Sequence, residues 1–202
     1  MTIISSPALA AVCVYCGSSS GRSPGFEMAA QALGAAIGQA RLRLVYGGGG
    51  TGLMGSVARA TRAAGGKVTG IIPDFLVQRE GQNIELDERF VVPDMHTRKR
   101  MMFERADGFV ALPGGIGTLE ELIEMLTWSQ LGRHGKPIVI ANVDGFWDPL
   151  ATLLAHMRTQ GFLRNDPDFS PRYQVVDRID DVLPALTAAL EPGAPTIPII
   201  KF

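Results

Sequence analysis

A chain of 202 residues, 46% hydrophobic and 19% charged, is long enough for one domain with a sizeable core and short for two. The formal net charge of −1 gives no general pull toward nucleic acid or an anionic membrane, so neither is expected as a partner and any anion site has to be local. No apolar run approaches the roughly 18 residues of a membrane helix, and the opening MTIISSPALAA lacks a basic n-region and a long apolar core; a cytoplasmic protein with a loose tail over residues 1–10 is expected.

The first strand-like run is AAVCVYCG, which holds both cysteines, Cys13 and Cys16. Side chains three apart on a strand point to opposite faces, so a redox pair fits poorly. A zinc site needs two further ligands at suitable spacing, and His96, His134 and His156 do not group that way. Two buried structural thiols and no metal site are expected. An Ala-rich helix follows from Ser23-Pro24, where serine can cap and proline can open the first turn. LRLVYGGGG then leads into a helix over roughly 52–65, and KVTGIIP and RFVVPD end a third and a fourth strand. Residues 74–89 fit neither period and are expected as an irregular excursion over the strand ends. Asp94 can cap a helix over 95–103; GFVALPGG runs into another helix, KPIVIANV into one near 146–160, and YQVV and DRIDDVLPALTAAL close the pattern. The proline-rich 191–202 tail is expected frayed or packed on a neighbouring subunit. This alternation of short apolar strands and helices predicts an α/β fold: a Rossmann-like open parallel sheet over residues 11–190, with helices on both faces. Ligands of such sheets bind outside the carboxyl ends of the strands.

Three small-residue turns fall on that edge. GGGGTGLMG, Gly47 to Gly55, contains GxGxxG twice; its glycines allow close approach of backbone N–H groups to an anion, but tight strand–helix packing explains them equally well. The NAD fingerprint is only partly met, because Asp74 lies beyond the roughly 20-residue spacing and follows a proline; the Walker lysine is absent. CGSSSG, with Gly17 and Ser18, and GGIGT, Gly114 to Thr118, repeat the design. One such loop is ordinary packing. Three suggest a nucleotide-sized ligand carrying phosphate, contacted from Gly17, Ser18, Gly47, Gly48 and Gly49 as well as from the 114–118 turn.

Two charged residues stand out. Thr118 and Glu121 fit the T-x-x-E capping box, which favours a structural role for Glu121 on composition alone. The alternative is an acid facing the sugar of a bound nucleotide. On a helical wheel Leu119, Leu122, Ile123 and Leu126 form the apolar stripe, with Glu120, Glu124 and Thr127 on one flank and Glu121 nearly opposite. In MHTRKRMMFERAD, Arg100 points away from the apolar arc as a solvated charge. Arg98 falls inside the arc and Lys99 at its edge, and a guanidinium there needs an anionic partner.

Together these residues resemble the LOG (LONELY GUY) family, which release a free base and ribose 5-phosphate from nucleoside 5′-monophosphates, notably N6-modified adenine cytokinin nucleotides. The hallmark PGGxGTxxE stands as Pro113 to Glu121 and the companion MHxRKxxM as Met95 to Met102; VYGGGGTGLMG, TWSQLG at Thr127 to Gly132 and NVDGFWD at Asn142 to Asp148 are similar to further family blocks. The resemblance implies Arg98 and Glu121 as the catalytic pair. It implies a substrate site comprising Gly114, Gly115, Ile116, Gly117, Thr118, Leu119 and Glu120, with Lys99, Thr127 and Glu80 as further contacts and the 114–118 turn on the 5′-phosphate. It implies AMP or N6-modified AMP as substrate, no cofactor, and a homodimer with helices near the active site at the interface. Sequences of this type have been labelled lysine decarboxylases, but no residue is identifiable as a pyridoxal-phosphate lysine. The runner-up reading is a non-catalytic carrier of the same architecture, such as the molybdenum-cofactor carriers. An NAD-dependent oxidoreductase ranks third.

Overall fold

A computed structural model of the chain describes residues 9–78, 84–163 and 173–191. Among these residues seven strands form one parallel sheet: β1 (Ala11–Tyr15), β2 (Arg43–Tyr46), β3 (Lys67–Pro73), β4 (Glu88–Val92), β5 (Gly108–Ala111), β6 (Ile138–Ala141) and β7 (Gln174–Val176), in the order β4-β3-β2-β1-β5-β6-β7. Among the described residues six helices alternate with them: α1 (Pro24–Gln39), α2 (Gly52–Ala63), α3 (Met95–Glu104), α4 (Ile116–Gln130), α5 (Asp148–Thr159) and α6 (Val182–Leu190). The expected α/β architecture is therefore present. Strands and helices take the places that the apolar periodicity assigned to them. Residues 1–8 and 192–202, which make up most of the two expected tails, lie outside the described residues, as do 79–83 of the expected excursion. The parts of that excursion that are described begin with a 3-10 turn, Asp74–Leu76, and end in β4.

Alternation along β1 separates two cores. Val12, Val14 and Cys16 pack with Leu33 and Ile37 of α1, Leu53 and Val57 of α2, and Val182 and Leu186 of α6. Ala11, Cys13 and Tyr15 pack on the other face with Met102 of α3, Leu122 and Met125 of α4, and Trp147 just before α5. Helices thus cover both faces, which is why the central strands are apolar throughout. The two cysteines fall in different cores, both unbridged. Burial pushes both thiols far above their ordinary range, with the charge of Glu121 adding to it, so they are inert structural residues.

From β1 the chain moves outward through β2 and β3 to β4, then returns to place β5 on the other side of β1. The strand order reverses between β1 and β5, the position where the two flanking loops diverge and leave a crevice. The turns after β1 and β5 are CGSSSG and the glycine turn that opens α4.

Candidate active site

Backbone bonds fasten the three glycine-rich turns into one rim. Gly17 N–H donates to the Pro113 carbonyl at 3.1 Å, and Met54 N–H donates to the Gly17 carbonyl at 3.2 Å. The Thr51 hydroxyl donates to the Ser18 carbonyl at 3.0 Å. Gly52, at φ +55, packs its α-carbon against the same Ser18 backbone, leaving no space for a side chain. From α2, Arg59 reaches back to the Gly50 carbonyl at 3.1 Å. Gly17 therefore serves the rim by joining two turns; its amide is committed to Pro113 instead of to a ligand.

The turn before α4 is different in kind. The helix begins at Ile116 with Gly115 as N-cap and no side-chain cap bond. Gly115, Ile116 and Gly117 are exposed, and nothing lies within 4 Å of where a β-carbon would stand on Gly115 or Gly117. The first-turn amides of α4 thus face open space with the positive end of the helix dipole behind them. This start overturns the capping-box reading. Thr118 sits inside the first turn, buried, with its side chain in the space beside Gly114, so it is not the N-cap that Glu121 would complete. The buried face is also rotated relative to the wheel: Thr118, Glu121, Leu122, Met125, Leu126 and Ser129 face inward, while Ile123 is exposed and Leu119 only partly covered.

Glu121 is tolerated inside because α3 brings a cation to it. Asp94 caps α3, accepting from Thr97 N–H at 2.7 Å, and those bonds hold its carboxyl below the ordinary value. One turn later Arg98 and Lys99 are both buried, whereas Arg100 is exposed as expected. The Arg98 guanidinium lies against the Gly47 backbone; a β-carbon there would overlap its Nη2 and crowd the Met54 sulfur. Its Nη2 stands 3.8 Å from Glu121 Oε1, too far for a hydrogen bond. Its remaining contacts are sparse: Nη1 meets the Met95 sulfur at 3.7 Å, and Nε has no hydrogen-bond partner among the described residues. A buried guanidinium so lightly bonded is prepared for an anion or a polar ligand. Both charges, distant in sequence, meet below the rim that the three turns make.

Comparison with known proteins then settles the family. The family model described as "Possible lysine decarboxylase" matches residues 54–186. A cytokinin riboside 5′-monophosphate phosphoribohydrolase of Arabidopsis thaliana is 48% identical over 152 residues, 75% of this chain and 70% of that protein. One from Rhodococcoides fascians is 45% identical over 158 residues, 78% of this chain and 80% of that protein. The chain belongs to the LOG family. Among solved structures, a molybdenum cofactor binding protein of Rippkaea orientalis superposes with a TM-score of 0.67 over 92% of this chain and 100% of that one; at 17% identity this likeness shows the fold alone.

Against that family pattern the remaining residues divide. Gly48 and Gly49 are buried beside Gly47 in the rim, and Ser18 is exposed with its carbonyl bonded to Thr51. Lys99 and Glu120 are brought together, but with each other: Lys99 Nζ lies 2.5 Å from Glu120 Oε1 and 3.1 Å from Glu124 Oε1. Thr127 is exposed and donates to the Ile123 carbonyl at 2.7 Å, about 9 Å along α4 from Glu121, so it does not join the pair. Glu80 lies outside the described residues. Sequence reading missed Glu124 as a partner of Lys99. The signal was present, since Glu120 and Glu124 share one flank of α4. Among the described residues no cluster of three His, Cys, Asp or Glu side chains could hold a metal, and no helix is long and apolar enough to cross a membrane.

Proposed function

We propose that this protein is a phosphoribohydrolase that cleaves the N-glycosidic bond of adenosine 5′-monophosphates, including N6-modified cytokinin nucleotides, to the free base and ribose 5-phosphate. The observation that carries the reading is the buried Arg98–Glu121 pair, set 3.8 Å apart below an open helix N-terminus. In this reading the 5′-phosphate is held by the amides of residues 115–118 at the start of α4, as helix N-termini hold anions generally. The ribose then lies over Glu121. As the bond to the base lengthens, positive charge builds on C1′ and the ring oxygen. The Glu121 carboxylate stabilises that charge and accepts a proton from the water that attacks C1′. The bond from C1′ to the base nitrogen breaks, its electron pair leaves with the base, which takes up a proton from solvent as Glu121 releases the one it accepted, and the water oxygen becomes the anomeric hydroxyl. Arg98, whose buried Nε has no hydrogen-bond partner among the described residues, orients the phosphate or the departing base.

The decisive assay measures free base from AMP and from isopentenyladenosine monophosphate. Glu121→Gln and Arg98→Ala are each expected to lower turnover by about 10²–10⁴-fold while the protein stays folded. Undiminished turnover in either variant rejects the assignment, and a parent protein that binds nucleotide without releasing base favours the carrier reading. Residues 11–190 are read as a single catalytic domain in a cytoplasmic homodimer. Support for the dimer comes from α4 and its C-cap, which expose Ile116, Ile123 and Leu131 at 83%, 36% and 67%. Sedimentation as a monomer at micromolar concentration rejects it.

A further inference from the structure

Arg98 and Glu121 each have a chain neighbour engaged in a second contact between α3 and α4. Lys99 Nζ bridges Glu120 Oε1 and Glu124 Oε1, with only 11% of the lysine side chain exposed. Glu120 and Glu124 are one turn apart on α4, and carboxylates so placed repel unless a cation lies between them. Lys99 supplies that cation from the facing helix. Burial pulls its pKa down, but the hydrogen bonds to the two carboxylates outweigh burial and leave the ammonium held above its ordinary value. The neighbouring Arg98–Glu121 contact, by contrast, is beyond hydrogen-bond reach. The tight contact between the two helices is therefore made one residue away from the pair that carries the chemistry.

We propose that Lys99 is a positioning residue: by clamping Glu120 and Glu124 it fixes α3 against α4 so that Arg98 Nη2 stands 3.8 Å from Glu121 Oε1, short of a hydrogen bond. This deepens the hydrolase reading and rests on it. Without the clamp α3 can shift on α4, and the guanidinium can close onto Glu121 as a hydrogen-bonded pair, which withdraws the carboxylate from C1′. A direct ligand contact by Lys99 predicts something else. It would weaken substrate binding and leave the pair's geometry intact.

The test uses the full chain and base release from AMP. Lys99→Met is expected to lower kcat at least tenfold with KM changed less than threefold. The Glu120→Gln/Glu124→Gln double variant, which leaves the lysine in place, should lose kcat to a similar degree, and combining all three changes should lose little more, because one clamp is removed either way. Lys99→Arg keeps a cation between the carboxylates and should retain most of kcat. It and the glutamine variants supply the answer if Lys99→Met does not fold. A rise in KM at unchanged kcat for Lys99→Met, or full kcat in the glutamine double variant, overturns the positioning role while leaving the hydrolase reading standing. A parent protein that releases no base overturns both.

Discussion

The turns after β2 and β5 share one sequence design, a run of glycines between a buried strand and a helix, and the structure uses them in opposite ways. Gly47 to Gly49 are buried, and Gly47 presents bare backbone to the Arg98 guanidinium. Gly115 and Gly117 are exposed with nothing within 4 Å of a β-carbon position. The first turn makes room for a protein side chain; the second stands open to solvent. Glycine motifs therefore mark close approach, and only packing tells whether the approaching group is internal or a ligand.

The sharpest way to test that difference is Gly47→Ala. Its methyl has to displace Arg98, so turnover should fall about 100-fold or more, and overpacking should cost about 1–3 kcal/mol in a denaturant titration. Wild-type turnover in this variant breaks the link between the first turn and the proposed role of Arg98 and Glu121. Gly115→Ala should behave differently. With φ −88 and open space around it, stability should stay within about 0.5 kcal/mol, while KM for AMP rises several-fold because the methyl meets the phosphate. An unchanged KM would take the second turn out of the ligand site.

The smallest effect concerns how α4 is held at its far end, away from both turns. His134 packs edge-on against Phe103 and Phe109, with Nε2 on the Met125 carbonyl and Nδ1 accepting from Lys136 N–H. Burial lowers its pKa, and the Lys136 charge adds to this against the Met125 bond. The neutral ring is thus favoured in the fold. Between the unfolded pKa of about 6.5 and the lower folded value the unfolded chain binds more protons, so stability falls as pH drops through that window. His134→Gln should remove that slope from urea midpoints measured between pH 7.5 and 5. An unchanged slope assigns the acid sensitivity to other groups.

Much of the fold was legible because burial on both faces imposes continuous apolar strands, and Ser23, Pro24 and Asp94 mark helix starts by their own chemistry. The sequence also placed Arg98 on an inward arc. It misplaced Glu121, since a wheel weighs apolarity alone and assigns a carboxylate to the outside; the inward turn of Glu121 depends on a cation delivered by α3. It misread the start of α4 for a related reason. Thr118 is a good capping residue, but the helix extends back to Ile116 with glycine as its cap. That Lys99 pairs with Glu120 and Glu124 was not legible either, because the contact joins two helices distant in the chain.

What the sequence determined by itself was the alternation of strand and helix and the carboxyl edge as the place for a ligand. These follow from local rules of period, capping and glycine. Which glycine turn stays open, which way α4 faces, and the 3.8 Å between Arg98 and Glu121 were decided only by tertiary structure. The reason is that each depends on a group from a distant part of the chain, and the sheet order alone brings those groups together.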